Sequence, residues 1–125
     1  MAALYSPIIF QHARAPQNRG QLKAATLILT GANHSCGDEL TFYLKLDKNK
    51  VIKEVAWNGS GCAISQASAS VFSELIIGKK LAAVQKFSGE VLIKKLKTKL
   101  SPSRLKCALL PLYTIKQSPS LPRRG

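Results

Sequence analysis

Between residues 40 and 46 apolar and polar side chains alternate. Leu40, Phe42, Leu44 and Leu46 fall on one side, Thr41, Tyr43 and Lys45 on the other. A period of two predicts a strand with one buried face. The run ELTFYLKLD that contains it is flanked by two more strand-like runs, LKAATLILT before and KVIKEVAWN after. The turn DKNK makes the second and third runs a hairpin, and the loop GANHSCGD separates the first from the second.

Elsewhere the apolar spacing turns helical. LYSPIIFQHAR reads as an opening helix with Ser6 at the N-cap and Pro7 at the first helical position, halted before Pro16 by the turn PQNRG. CAISQASASVFSELIIG is small and apolar at helical spacing and stops at Gly78, which predicts a buried helix packed closely on the sheet. Two helical pieces follow. They lie around LAAVQKF and around EVLIKKLKTKL, where Leu92, Leu96 and Leu100 form a stripe. SPSRLKCALL starts another, with Ser101 as cap and Pro102 first. Pro111 has no N–H for the carbonyl of Cys107, so this helix is expected to kink just past that thiol. Strands first and helices after predict an α+β domain, a small antiparallel three-stranded sheet with helices packed on it. Residues 1–115 read as one domain and 116–125 as a disordered tail.

Charge changes the picture in one half only. Residues 79–125 hold twelve Lys/Arg against one acid, Glu90, out of a net +13 for the 125-residue chain. Such a block invites a nucleic-acid or acidic-partner reading. The run KKLKTK carries no aromatic on which a base could stack, so specific nucleic-acid binding is not expected. A solvated basic face that docks acidic proteins is. No apolar run is long enough for a signal peptide or a membrane span. A reducing cytoplasm is therefore the expected compartment, where clustered cysteines mean metal or thiol chemistry.

The chain has three cysteines. Cys36 lies two residues from Asp38 with Gly37 between; Cys62 follows Gly59 and Gly61 at a helix start; Cys107 sits in the second turn of the last helix. Glycines let short ligands converge, and a helix N-terminus favours thiolate. Each cysteine alone is more often a buried apolar residue, and Asp38 alone a turn residue. Three cysteines in such settings put a shared site of Cys36, Asp38, Cys62 and Cys107 level with that reading. Its donors suit zinc or the irons of an iron–sulfur centre, with the carboxylate as the more labile ligand. His34 reads as a solvated loop residue, His12 as packed or capping, Lys106 as surface, and Trp57 as core.

These motifs resemble one family, the U-type iron–sulfur cluster assembly scaffolds (the NifU N-terminal domain, IscU and SufU). The resemblance runs through LYSPIIFQHARAPQNRG, NHSCGDELTFYLKL, GSGCAISQASAS and RLKCALLPL. It implies a cytoplasmic scaffold rather than an enzyme, one that takes sulfur from a cysteine desulfurase, combines it with iron, transiently holds a [2Fe–2S] cluster and passes it to recipient apo-proteins. It also implies that Cys36, Cys62 and Cys107 are ligands and persulfide acceptors, and that Asp38 is the labile fourth ligand, which also binds zinc. One branch has histidine where Lys106 stands. The SufU-like branch carries an insertion that the 45 positions from Cys62 to Cys107 do not hold. LSPSRLKC matches the chaperone-binding stretch of the histidine branch only loosely, differing at Ser101, Ser103 and Arg104. Two other functions share these residues: a zinc-dependent sulfur relay that activates a desulfurase in a sulfurtransferase-like role, and a basic nucleic-acid module with a structural metal.

Overall fold

The computed structural model describes residues 6–33 and 37–117. Helix α1 (Pro7–Arg14) precedes strands β1 (Leu27–Asn33), β2 (Asp38–Leu46) and β3 (Ile52–Ser60), and helices α2 (Ala63–Ile76), α3 (Leu81–Gln85), α4 (Gly89–Leu96) and α5 (Pro102–Lys116) follow. The sheet is antiparallel with the order β1-β2-β3. Strands first and helices after, on a three-stranded antiparallel sheet, is the architecture read from the sequence.

The alternation along β2 decides which face is covered. Leu40, Phe42 and Leu44 are fully buried, and Phe42 meets Phe72 of α2 edge to face at 5.8 Å. Each such side chain contributes about 1.5–3 kcal/mol on burial. The opposite face keeps polar pairs: the Thr30 and Thr41 hydroxyls at 3.1 Å, and Lys45 with Glu54 at 3.7 Å. Trp57, in β3, is fully buried as expected, its Nε1–H donating to Gln17 O at 2.8 Å.

Buried residues on all sides of α2 explain its composition: Ala67, Ser68, Ala69, Ser70 and Val71 are buried in succession. Small residues let α1, the sheet and α5 approach together. Four fully buried serines each have a partner there, as buried hydroxyls require. Ser65 donates to Cys62 O, Ser68 to Ala108 O across to α5, and Ser73 to Ser70 O. Ser70 Oγ meets His12 Nδ1 and accepts from Gln17 N, both at 2.7 Å. His12 is thus a packed residue that ties α1 to α2, with Glu74 3.9 Å from its other nitrogen.

Several element ends differ from the sequence reading. β1 begins at Leu27 and runs on through Gly31, because a glycine there lets α5 close onto the sheet: a Cβ on Gly31 would overlap Thr114 Oγ1. α4 stops at Leu96, where Lys97 turns left-handed at φ 55°, so Leu100 lies beyond the helix and only half-buried. Ser6 is the N-cap of α1 by position, but its hydroxyl bonds Leu96 O instead of a first-turn amide. Ser101 caps α5 as expected, accepting from Arg104 N. α5 is one helix from Pro102 to Lys116, across Pro111. Residues 118–125 of the expected tail lie outside the described residues.

Candidate metal and sulfur site

Three of the four expected ligands converge. One carboxylate oxygen of Asp38, Cys62 Sγ and Cys107 Sγ all lie within 4.8 Å of one another. Asp38 opens β2, Cys62 is the N-cap of α2, and Cys107 faces inward from α5. The fourth, Cys36, and the neighbouring His34 lie outside the described residues.

Asp38 is 2% exposed. Its Oδ1 accepts the Cys62 N–H at 3.1 Å, and its Oδ2 stands 3.7 Å from Cys62 Sγ. A buried carboxylate needs more than one neutral donor to offset its lost hydration, and a cation held with two thiolates supplies that. The donor set therefore fits a thiophilic divalent ion or the irons of a small cluster. The fit depends on Gly61. Its φ is 153°, and a Cβ there would overlap Asp38 Oδ1 and stand 2.6 Å from Ser65 Oγ.

Cys62 is half-buried and Cys107 fully buried. Cys107 Sγ donates to Ser103 O, one turn back, at 3.7 Å. Pro111, four residues after Cys107, has no N–H to offer its carbonyl.

Three neighbours were not among the candidates. Ser65, fully buried, lies 4.0 Å from Cys62 Sγ while bonding Cys62 O. Asn33 Nδ2 points at Cys107 Sγ from 4.0 Å. Arg19 lies over the Trp57 ring at 5.1 Å and donates to Gly59 O and Gln66 Oε1, pinning the GSG loop ahead of Cys62. The i+3 spacing of Ser65 from Cys62 was a visible signal. Asn33 needed the strand register, which pairs it with Asp38. Lys106 is exposed, as the sequence reading had it.

Among the described residues no helix is long and apolar enough to cross a membrane. Comparison with known proteins bears on the rest. The family model of the NifU-like N-terminal domain matches residues 4–120. The iron-sulfur cluster assembly scaffold protein IscU of Thermotoga maritima is 40% identical over 131 residues, covering 92% of each chain. The zinc-dependent sulfurtransferase SufU of Bacillus subtilis is 35% identical over 78 residues, 62% of this chain and 52% of that one. Among solved structures, FiSufU from Fervidobacterium Islandicum AW-1 superposes with a TM-score of 0.75 at 34% identity, covering 92% of this chain and 96% of that one. The N-terminal NifU-like protein of Brucella abortus shares the fold, with a TM-score of 0.69 at 22% identity and coverage of 91% and 90%.

Proposed function

This chain belongs to the NifU-like N-terminal domain family, and on that basis we propose that it is an iron–sulfur cluster assembly scaffold. The observation that carries the reading is the convergence of Asp38, Cys62 and Cys107 within 4.8 Å. Cys36, two positions before Asp38 in the sequence, is the fourth ligand in this reading. The cargo is a [2Fe–2S] unit held by these four residues.

Sulfur arrives from a cysteine desulfurase as a persulfide. A thiolate of Cys36, Cys62 or Cys107 attacks its terminal sulfur, the new S–S bond forms on the scaffold, and the desulfurase thiolate leaves. Reduction to sulfide draws electrons from an added thiol or another reductant. Of the two described thiols, half-buried Cys62 is the more open to such an attack. Asp38 is the ligand whose exchange releases cargo to recipient apo-proteins, because a carboxylate holds a soft metal less firmly than a thiolate does. The protein acts as a stoichiometric carrier rather than a catalyst. Free thiols suit a reducing compartment such as the cytoplasm.

A zinc-dependent sulfur relay is the second reading. The same donor types, thiolate and carboxylate, suit zinc and support it, as does the likeness to Bacillus subtilis SufU. One experiment separates the two. Metal-free protein is given ferrous iron, cysteine, a thiol reductant and a cysteine desulfurase under anaerobic conditions, with and without an equivalent of zinc. Sulfur-to-iron charge-transfer bands that pass to an apo-ferredoxin support the scaffold. Bound zinc, no chromophore and faster desulfurase turnover support the relay instead.

A further inference from the structure

An open groove of about 430 Å³ runs between α4 and α5, lined by Gly89, Glu90, Ile93, Lys94, Leu105 and Leu109. Its floor is aliphatic: Ile93, Leu105 and Leu109 are each only half-buried. Gly89 lies close against this floor, where a Cβ would stand 3.0 Å from Leu109 Cδ2. Leu105 and Leu109 lie one turn apart on the same face of α5, while Cys107 between them points to the opposite face. An occupant would therefore touch the back of the helix that carries the third thiol, and would leave the sulfur cluster uncovered.

The groove wall itself carries one acid, Glu90, and one base, Lys94, and the surface around it is basic. Lys97, Lys99 and Lys106 are also exposed on or beside the same two helices, whereas Lys95 lines a separate pocket with Glu74. Glu90 is the single acid of residues 79–125. We propose that this groove docks an acidic amphipathic helix of a partner protein. The helix lays its aliphatic stripe on Ile93, Leu105 and Leu109, and turns its carboxylates to Lys94 and the neighbouring lysines. A polyanion without aliphatic side chains would read the charge and leave the floor bare.

The test measures fluorescence anisotropy of labelled helical peptides with the full chain. One peptide carries leucines at i, i+4 and i+7 among glutamates; its control has serines in place of the leucines. Support is binding of the leucine peptide with the control at least about tenfold weaker. Ile93→Glu, which removes part of the floor, is expected to weaken the leucine peptide by about tenfold or more. Lys94→Glu, at an exposed position, should weaken it about threefold, a loss that shrinks at high salt. Cobalt(II) titration of the Asp38–Cys62–Cys107 site should be the same in both variants and the parent chain, which reports intact folding separately from docking. Equal binding of both peptides, displacement of either by a DNA duplex of matched charge, binding of neither, or insensitivity to both substitutions would overturn the proposal.

Discussion

The Asp38 carboxylate is anchored by the residue it is placed to work with: Oδ1 accepts the Cys62 N–H at 3.1 Å while Oδ2 lies 3.7 Å from Cys62 Sγ. Strand β2 and helix α2 are thereby joined at the site by the candidate ligands themselves. Asp38 is the acceptor that satisfies the amide at the mouth of α2, and in the proposed function it has a second role as cation ligand.

Those roles separate by mutation. Asp38→Ala is expected to lengthen the lifetime of a bound cluster, since the exchangeable ligand is gone, yet to cost about 1–3 kcal/mol of folding stability through the orphaned Cys62 amide. Asp38→Asn keeps an acceptor and should recover most of that stability. Decay of the visible chromophore and urea denaturation of both variants check the pair of outcomes.

Gly61→Ala should damage the site more than the fold. The new methyl would overlap Asp38 Oδ1 at a φ that L-residues rarely adopt. A fall of at least about tenfold in zinc or cobalt affinity, read by chelator competition, is the expected result, an order of magnitude being about 1.4 kcal/mol.

Thr114 and Gly31 mark where α5 meets β1. Gly31→Ala is expected to destabilise the chain by about 1–3 kcal/mol, because its methyl would overlap the buried Thr114 hydroxyl. Adding Thr114→Ala should return part of that loss. A double-mutant cycle in urea that showed simple additivity would contradict the contact.

Away from the site, the β2–β3 turn supplies a pH dependence. Asp47 Oδ1 accepts Val51 N–H at 2.9 Å and Asn49 N–H at 2.8 Å. The Val51 bond first, then that from Asn49 and the charges of Lys53 and Lys48, hold its carboxyl below the ordinary 3.8 against the opposing effect of desolvation. A carboxyl depressed in the folded state stabilises the fold at pH values above its unfolded titration, and that benefit fades as pH falls through the folded value. Asp47→Asn keeps an acceptor but not the charge. It should therefore be less stable than the parent near neutrality, and the difference should shrink as pH falls through the folded value. Urea midpoints across that range give the answer.

Much of this was legible without coordinates, and particular residues show why. The period-two run from Leu40 to Leu46 carries its own face assignment, so the sheet and its buried side follow from local pattern alone. Ser101-Pro102 names the start of α5, and the expected cap bond is present. α4 shows the limit: its stripe continues to Leu100, but Lys97 takes a left-handed turn and the helix stops. Leu92, Leu96 and Leu100 are spaced alike whether or not the helix continues, so periodicity could not place that end.

The sequence by itself determined the element types, the glycine settings of the thiols, and the one-sided charge, because each depends on neighbours along the chain. Only the tertiary structure decided which of those residues meet. Asn33 reaches toward Cys107 across 74 positions, Ser68 reaches the Ala108 carbonyl across 40, and Gly89 leaves the gap beside Leu109. Contacts of that span are set by strand register and by how closely helices approach, and both emerge only when the whole core packs at once.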